Sequence, residues 1–333
     1  MLGAGLLLTS VHSADDPPER QISEHRELIS VAKAHDFDLI VAGQHFAAPA
    51  LRYLQPIPYL ASLAAEAAPM RVATGIILVP LQHPVALAES VATLDVVSGG
   101  RAVFGVGLGY ADKEFEVFGV DRRTRARRFE ESLGLIRRLW AGESVTHSGE
   151  FYLLQDVRSS VLPVQRPGPP VWVGAQVEAS VRRAARLGDA WYCPPFPTHR
   201  ELFGLREAYE DELARLGREV PVEFPLRREI VVADTVAEAR DAVVKLAAGR
   251  YQTYADWGLD LGSGFANGDD WLGSRYVVGD PEAVAEQLHR IVTETAASHL
   301  VVKAQWPGQP HREAMRQLER IGGEVLPLLR RYA

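Results

Sequence analysis

Along the chain, short runs of apolar and β-branched residues alternate with longer stretches in which apolar positions return every three or four residues. The runs are GLLLTS (5–10), DLIVA (38–42), RVATGI (71–76), AVFGV (102–106), VWVG (171–174), AWYC (190–193), REIVVA (228–233) and HLVVKA (299–304), and we take these eight as strands. Between them Leu87, Val91 and Leu94, then Phe129, Leu133, Ile136 and Trp140, recur at helical spacing. Met315, Leu318, Val325 and Leu328 repeat the pattern near the end. Strands apolar on both faces, each followed by an amphipathic helix, predict a parallel sheet with right-handed crossovers. Eight such units in one chain predict a single α/β domain over residues 1–333, a (β/α)8 TIM barrel in preference to an open doubly wound sheet. Residues 141–170 and 250–280 are too long for simple connections and are expected as insertions or lids. The segment ADKEFEVFG after the fourth strand is expected to be irregular. In a barrel of this kind the chemistry gathers at the C-terminal ends of the strands.

Composition narrows the partners. With 36 Lys and Arg against 43 Asp and Glu, the net charge of -7 argues against nucleic acid or an anionic membrane and leaves a small molecule. One cysteine, Cys193, excludes an internal disulfide and a thiolate metal cluster, and fits a cytoplasmic protein. Cys193 itself is expected as a small buried residue. The apolar start LGAGLLLTS is too short to span a bilayer and has no basic flank, so it is expected as a strand and not as a signal peptide. The histidines show no helical metal-ligand spacing, and no metal is expected.

Several stretches carry candidate chemistry. In SGGRAVFGVGLGY the glycines fall at 105, 107 and 109, and Tyr110 stands where a dinucleotide fingerprint needs its third glycine. The fingerprint fails, leaving a strand end cleared either for a tight bulge or for something flat against the backbone. GAQVEAS (174–180) runs from the fifth strand straight into a helix, so its free N–H groups and the Ser180 hydroxyl form either an anion site or an ordinary cap. His45 is a candidate for proton transfer or a neutral rim histidine. Tyr110 holds a ligand by its hydroxyl or packs under EFEVF. Arg122, Arg123, Arg125, Arg127 and Arg128 either neutralise a phosphate or pair with acids such as Glu130 and Glu131. Trp257, Trp271 and Tyr276 suggest an apolar lid over a substrate, or packing at an edge.

Three ordered segments, HPVALAESVATLDVVSGGRAVFGVGLGY, EFEVFG with RRTRARRFEESLGLIRRLW, and PPVWVGAQVEASVRRAARLGDAWY, together with VVKAQWPG near the end, resemble a known family. It is that of the bacterial luciferase-like flavin monooxygenases and their deazaflavin-dependent relatives. The resemblance implies a TIM barrel holding reduced FMN, or coenzyme F420, at its mouth. The ring would lie over the third and fourth strands, where the glycines make room for it, and the phosphate at the fifth. Carried onto this chain, the phosphate segment falls on Gly174, Ala175, Gln176, Val177 and Ser180. The ring-supporting bulge falls on Gly75 and Ile76, with a cis peptide between them, and the fourth-strand contacts on Gly107 and Leu108. Two departures stand out. Gly107-Leu108 replaces the Cys-Arg pair of luciferases, and Gly43-Gln44-His45 replaces Glu-His-His, so His45 keeps only the second histidine's place. His45, Gln44 and Tyr110 are the implied catalytic positions. The expected activity is oxygenation of a small apolar organic substrate with O2 and reduced FMN from a separate flavin reductase, by a homodimer. The alternatives are F420-dependent hydride transfer and a non-catalytic flavin-binding protein.

Overall fold

The computed structural model describes residues 2–9, 12–48, 51–256 and 273–332. Its parallel strands are β1 (Gly3–Leu7), β2 (Leu39–Ala42), β3 (Arg71–Thr74), β4 (Ile77–Leu78), β5 (Ala102–Gly107), β8 (Val171–Gly174), β9 (Ala190–Tyr192), β10 (Pro225–Val232), β11 (Tyr276–Gly279) and β12 (His299–Val302). They form one curled sheet in the order β11-β10-β12-β1-β2-β3-β5-β8-β9, with β4 beside β5. Backbone bonds also cross between the two ends of the curl. Just beyond β9, the Cys193 N–H donates to Pro225 O at 3.1 Å and its carbonyl accepts the Arg227 N–H at 2.9 Å.

Burial on both faces explains the unbroken apolar runs. Leu39, Val41, Ala73, Val103, Trp172, Ala190, Tyr192 and Val301 pack together inside the curl. Their alternates, among them Leu6, Ile40, Val72, Phe104, Val173 and Leu300, pack outward against the helices. Those helices include α1 (Pro18–Ala34), α2 (Pro56–Leu63), α3 (Pro84–Val97), α4 (Asp112–Val117), α5 (Arg125–Trp140), α6 (Glu178–Leu187), α7 (His199–Arg215), α8 (Val236–Asp256), α9 (Pro281–Thr295) and α10 (His311–Arg320). Proline at the first turn of α1, α2, α3 and α9 sets φ where no N–H partner is needed.

All eight expected strands are present, with shifted ends. Several expectations are sharpened or corrected. The segment after β5 is not irregular throughout, because Asp112 and Glu114 favour a first turn and the buried Glu114 and Phe115 anchor α4. Residues 141–170 hold an antiparallel hairpin, β6 (Val145–Ser148) and β7 (Leu153–Val157). Glu131 of α5 clamps this hairpin through His147 and the N–H groups of Phe151 and Tyr152, so of the two expected alternatives this stretch is an insertion. In the second long connection, residues 250–256 continue α8, and Tyr276 opens β11, paired with β10 and stacked on Trp306. Tyr276 is therefore core and not lid; Trp257 and Trp271 lie outside the described residues.

Candidate active site

A cavity of about 300 Å³ opens at the C-terminal ends of the strands. Its walls contain every residue that the resemblance implied for catalysis or coenzyme binding. Gln44 and His45 come from the exit of β2, Gly75 and Ile76 from the break between β3 and β4, and Gly107, Leu108 and Tyr110 from the end of β5. Gly174, Ala175, Gln176, Val177 and Ser180 form the turn from β8 into α6. Opposite stand Tyr192, Phe196 and Arg227, none of which sequence reasoning placed in the cavity, and Arg125 of α5, one of the five arginines considered for a phosphate, joins the α6 end.

The alternating glycines serve the protein's own backbone first. A Cβ on Gly105 would lie 1.8 Å from the Thr74 carbonyl oxygen, and one on Gly107 would lie 2.7 Å from Ile76 Cδ1. At Gly174 it would stand 3.0 Å from Ile76 Cγ2. The space expected for a flat ligand is thus filled by the β3–β4 break, and it is Ile76, laid across two strand ends, that presents the flat apolar wall. The Gly75–Ile76 peptide is cis, as the resemblance implied. Gly75 is glycine for room and not for positive φ, since a Cβ there would meet Val41 Cγ1 at 2.3 Å.

His45 is held from behind. Its Nδ1 lies 3.1 Å from Glu114 Oε1, which also accepts the Phe46 N–H at 2.8 Å, and Glu114 is buried. With its proton drawn to Nδ1 by the carboxylate, the ring presents Nε2 as its basic nitrogen. The rings of Tyr53 and Tyr110 stand edge-on to it, at centroid distances of 4.8 and 5.6 Å. Gln44, a candidate for catalysis, has its amide committed to structure. Its Oε1 accepts the Leu78 N–H and Gln82 Nε2, and its Nε2 donates to Gln55, whose own amide donates to His45 O. Gln44 therefore locks the His45 loop to the β4 edge.

At the other end of the cavity, both readings of GAQVEAS have support. The Ser180 hydroxyl accepts the N–H groups of Gln176 and Val177, at 3.3 and 3.2 Å, and donates to Val177 O, which is a cap. Yet Gln176, Val177 and Ser180 also line the cavity together with Arg125, whose guanidinium donates to Arg122 O. Burial, with Arg122 and Arg183 nearby, lowers the Arg125 pKa, as expected of a cation lacking a close carboxylate. The other arginines of the run are engaged elsewhere. Arg122 pairs with Asp112, Arg123 with Asp121 and Arg127 with Glu150, while Arg128 lies over Phe151. The expected partners Glu130 and Glu131 bind Arg183 and His147 instead.

Cys193 is buried behind the mouth and does not line it; burial pushes its thiol up to about 12. Tyr192 is likewise pushed up to about 12 by burial and stays protonated. Arg227 pairs with the fully buried Glu229. Among the described residues, no group of three or more His, Cys, Asp or Glu side chains is placed to hold a metal ion. Nor is any described helix long and apolar enough to cross a membrane.

The model of the luciferase-like monooxygenases matches residues 3–299. The chain belongs to that family. A flavin-dependent trigonelline monooxygenase, oxygenase component, of Acinetobacter baylyi is 32% identical over 53% of this chain and 49% of its own length, so the match spans about half of that relative. An F420-dependent glucose-6-phosphate dehydrogenase of Nakamurella multipartita is 29% identical over 92% of this chain and 93% of its own. Among solved structures, a monooxygenase from Streptomyces bottropensis superposes with a TM-score of 0.87 at 24% identity, covering 100% of both chains. The FMN complex of the oxygenating constituent of 3,6-diketocamphane monooxygenase from Pseudomonas putida gives 0.79 at 18% identity over 99% of each. These two likenesses speak for the fold. Relatives of this chain thus include flavin monooxygenases and F420-dependent oxidoreductases.

Proposed function

We propose that the protein is a monooxygenase that uses reduced FMN, supplied by a separate flavin reductase, and O2 to oxygenate a small, largely apolar organic molecule. The observation that carries this reading is one cavity with an anion-seeking end, a flat apolar wall and a carboxylate-backed histidine at its mouth. The residues fit the coenzyme. Arg125 and the turn that carries Gln176, Val177 and Ser180 suit a phosphate, while the apolar wall of Ile76 and Leu108 suits a planar ring. When bound, reduced flavin supplies the electrons that activate dioxygen for transfer of one oxygen atom to the substrate.

The chain's own share is positioning and proton handling. Gln44, Gln55 and Gln82 fix the His45 loop against the edge on which the ring would rest. His45 Nε2 takes a proton from the substrate or returns one, while Glu114 balances the charge on the ring. Tyr110 and Phe196 exclude water from the mouth. We further propose that the curled sheet is the closed barrel of the family, with Cys193 at its seam, and that the protein acts in the cytoplasm as a homodimer.

F420-dependent hydride transfer is the second reading, favoured by the match to the F420-dependent dehydrogenase along nearly the whole chain. Equilibrium binding of reduced FMN and of reduced F420, followed by oxygen uptake, separates the two. Tight F420 binding with turnover indifferent to oxygen would sink the monooxygenase reading.

A further inference from the structure

The surroundings of His45 narrow the substrate further, on the reading above that His45 handles the substrate's proton. Its ring occupies a corner between Tyr53 and Tyr110, with interplanar angles of 71° and 77°. Both tyrosines and Phe196 line the same cavity and are half-buried. A group that reaches His45 Nε2 passes between aromatic edges and faces. An aromatic ring gains there from offset and edge-on contact in addition to area, whereas a saturated ring gains area alone. Behind the imidazole the buried Glu114 carboxylate stands ready to balance an imidazolium. An alkanol is far too weak an acid to protonate imidazole, while a phenol, like the tyrosine side chain with a pKa of about 10, comes within reach once the product charges are paired.

We propose that this corner is a subsite for a hydroxyaromatic substrate whose phenolic proton passes to His45. In that step the O–H bond breaks, its electron pair stays on the phenolate oxygen, and an N–H bond forms at Nε2. The positive charge spreads over the imidazolium facing Glu114. The phenolate ring is electron-rich, which suits it to accept oxygen from an electrophilic donor.

The test uses 4-nitrophenol as a chromophoric probe, with nitrobenzene and cyclohexanol as controls, on the purified protein with and without oxidised FMN. The probe should bind saturably and show its phenolate absorbance about one pH unit or more below the free compound. His45→Ala should abolish that shift. Tyr53→Leu and Tyr110→Leu should weaken binding about threefold to tenfold, with Tyr110→Phe retaining it. Nitrobenzene should compete for the site and cyclohexanol should not. The proposal is overturned if binding is not saturable, if the bound probe ionises no more readily than the free one, or if cyclohexanol competes equally. FMN binding, followed in the same samples, keeps the two readings apart: its loss with an intact probe shift removes the cofactor assignment and leaves the subsite, and the reverse removes the subsite alone.

Discussion

Two places in this molecule set histidine beside a buried glutamate, and they differ in almost every other respect. At the mouth, the partly buried His45 has a well-formed contact to Glu114, on a cavity wall. Behind β1 and β12, His12 and His25 are buried with ring centroids 5.4 Å apart, and neither Nε2 makes a hydrogen bond. His12 Nε2 stands 3.4 Å from Glu24 Oε2. That carboxylate is already engaged by Arg20 at 2.7 Å and Gln305 at 2.9 Å, and His311 stands 3.8 Å away. His25 Nδ1 meets the Tyr59 hydroxyl. Burial lowers the pKa of both His12 and His25, the latter strongly. A buried histidine near a saturated carboxylate is a neutral strut; one with its own carboxylate on a cavity wall is equipped to move a proton.

The largest expected effect separates the two by activity. His45→Ala should leave fold and cofactor affinity nearly intact while turnover falls by about a hundredfold or more, the usual scale for a lost general acid or base. His25→Ala should do the opposite, destabilising the fold by on the order of 2 kcal/mol through the cavity and the abandoned Tyr59 hydroxyl, with turnover per folded molecule unchanged. Thermal melts and steady-state rates on the two variants check this. If His45→Ala keeps wild-type turnover, the mouth histidine is a strut too.

A smaller effect tests whether the rest of the mouth likewise acts on ligand and not on fold. Arg125→Leu and Ser180→Ala should each weaken FMN binding by roughly tenfold or more, the scale of one hydrogen bond to a charged group. Ser180→Ala also removes a helix cap and should lower the melting temperature slightly; Arg125→Leu should not. Titration of flavin fluorescence gives both constants. Unchanged affinity in both would move the phosphate away from α6.

The contrast also marks what the chain alone discloses. Strands and mouth residues are legible because each strand end is local: Gly75, Gly107 and Gly174 punctuate apolar runs, and the barrel rule gathers them. The partner of His45 is not, because Glu114 lies 69 residues away on a turn of helix that looks irregular in sequence. Nor is the choice of Arg125 from five neighbouring arginines, since only the rotation of α5 decides which one faces inward. The buried histidine cluster is least legible, as the Glu24–Gln305 contact spans 281 residues and joins α1 to the segment between β12 and α10. β11 was hidden because its four-residue apolar run, YVVG, has no period long enough to distinguish strand from loop.

The smallest effect near neutral pH concerns stability in mild acid. His12 and His25 have folded pKa values below the ordinary 6.5, burial being the main cause for each and, for His25, the positive charge of a protonated His12 or His311 adding to it. Below pH 6.5 the unfolded chain therefore takes up protons that the folded chain refuses, and stability declines as pH falls from there toward the folded values. One such group changes the unfolding free energy by at most about 1.4 kcal/mol per pH unit. Asp16, Arg20, Glu24, Tyr59 and His311 face the pair, and Glu27 pairs with His311. Of these, Glu24 is held below the usual carboxylate range, because hydrogen bonds from Arg20 and Gln305 outweigh its burial. Its contribution is lost only at lower pH, so the decline between pH 6.5 and 5 belongs to His12 and His25 together with His199, whose pKa burial lowers to about 4. Denaturant melts across that window should show the slope in wild type and a flatter one in His25→Phe, where the ring volume stays and the titration goes. A slope in His25→Phe as steep as that of wild type would mean that His25 adds nothing to it, and that burial does not distinguish this histidine from His45.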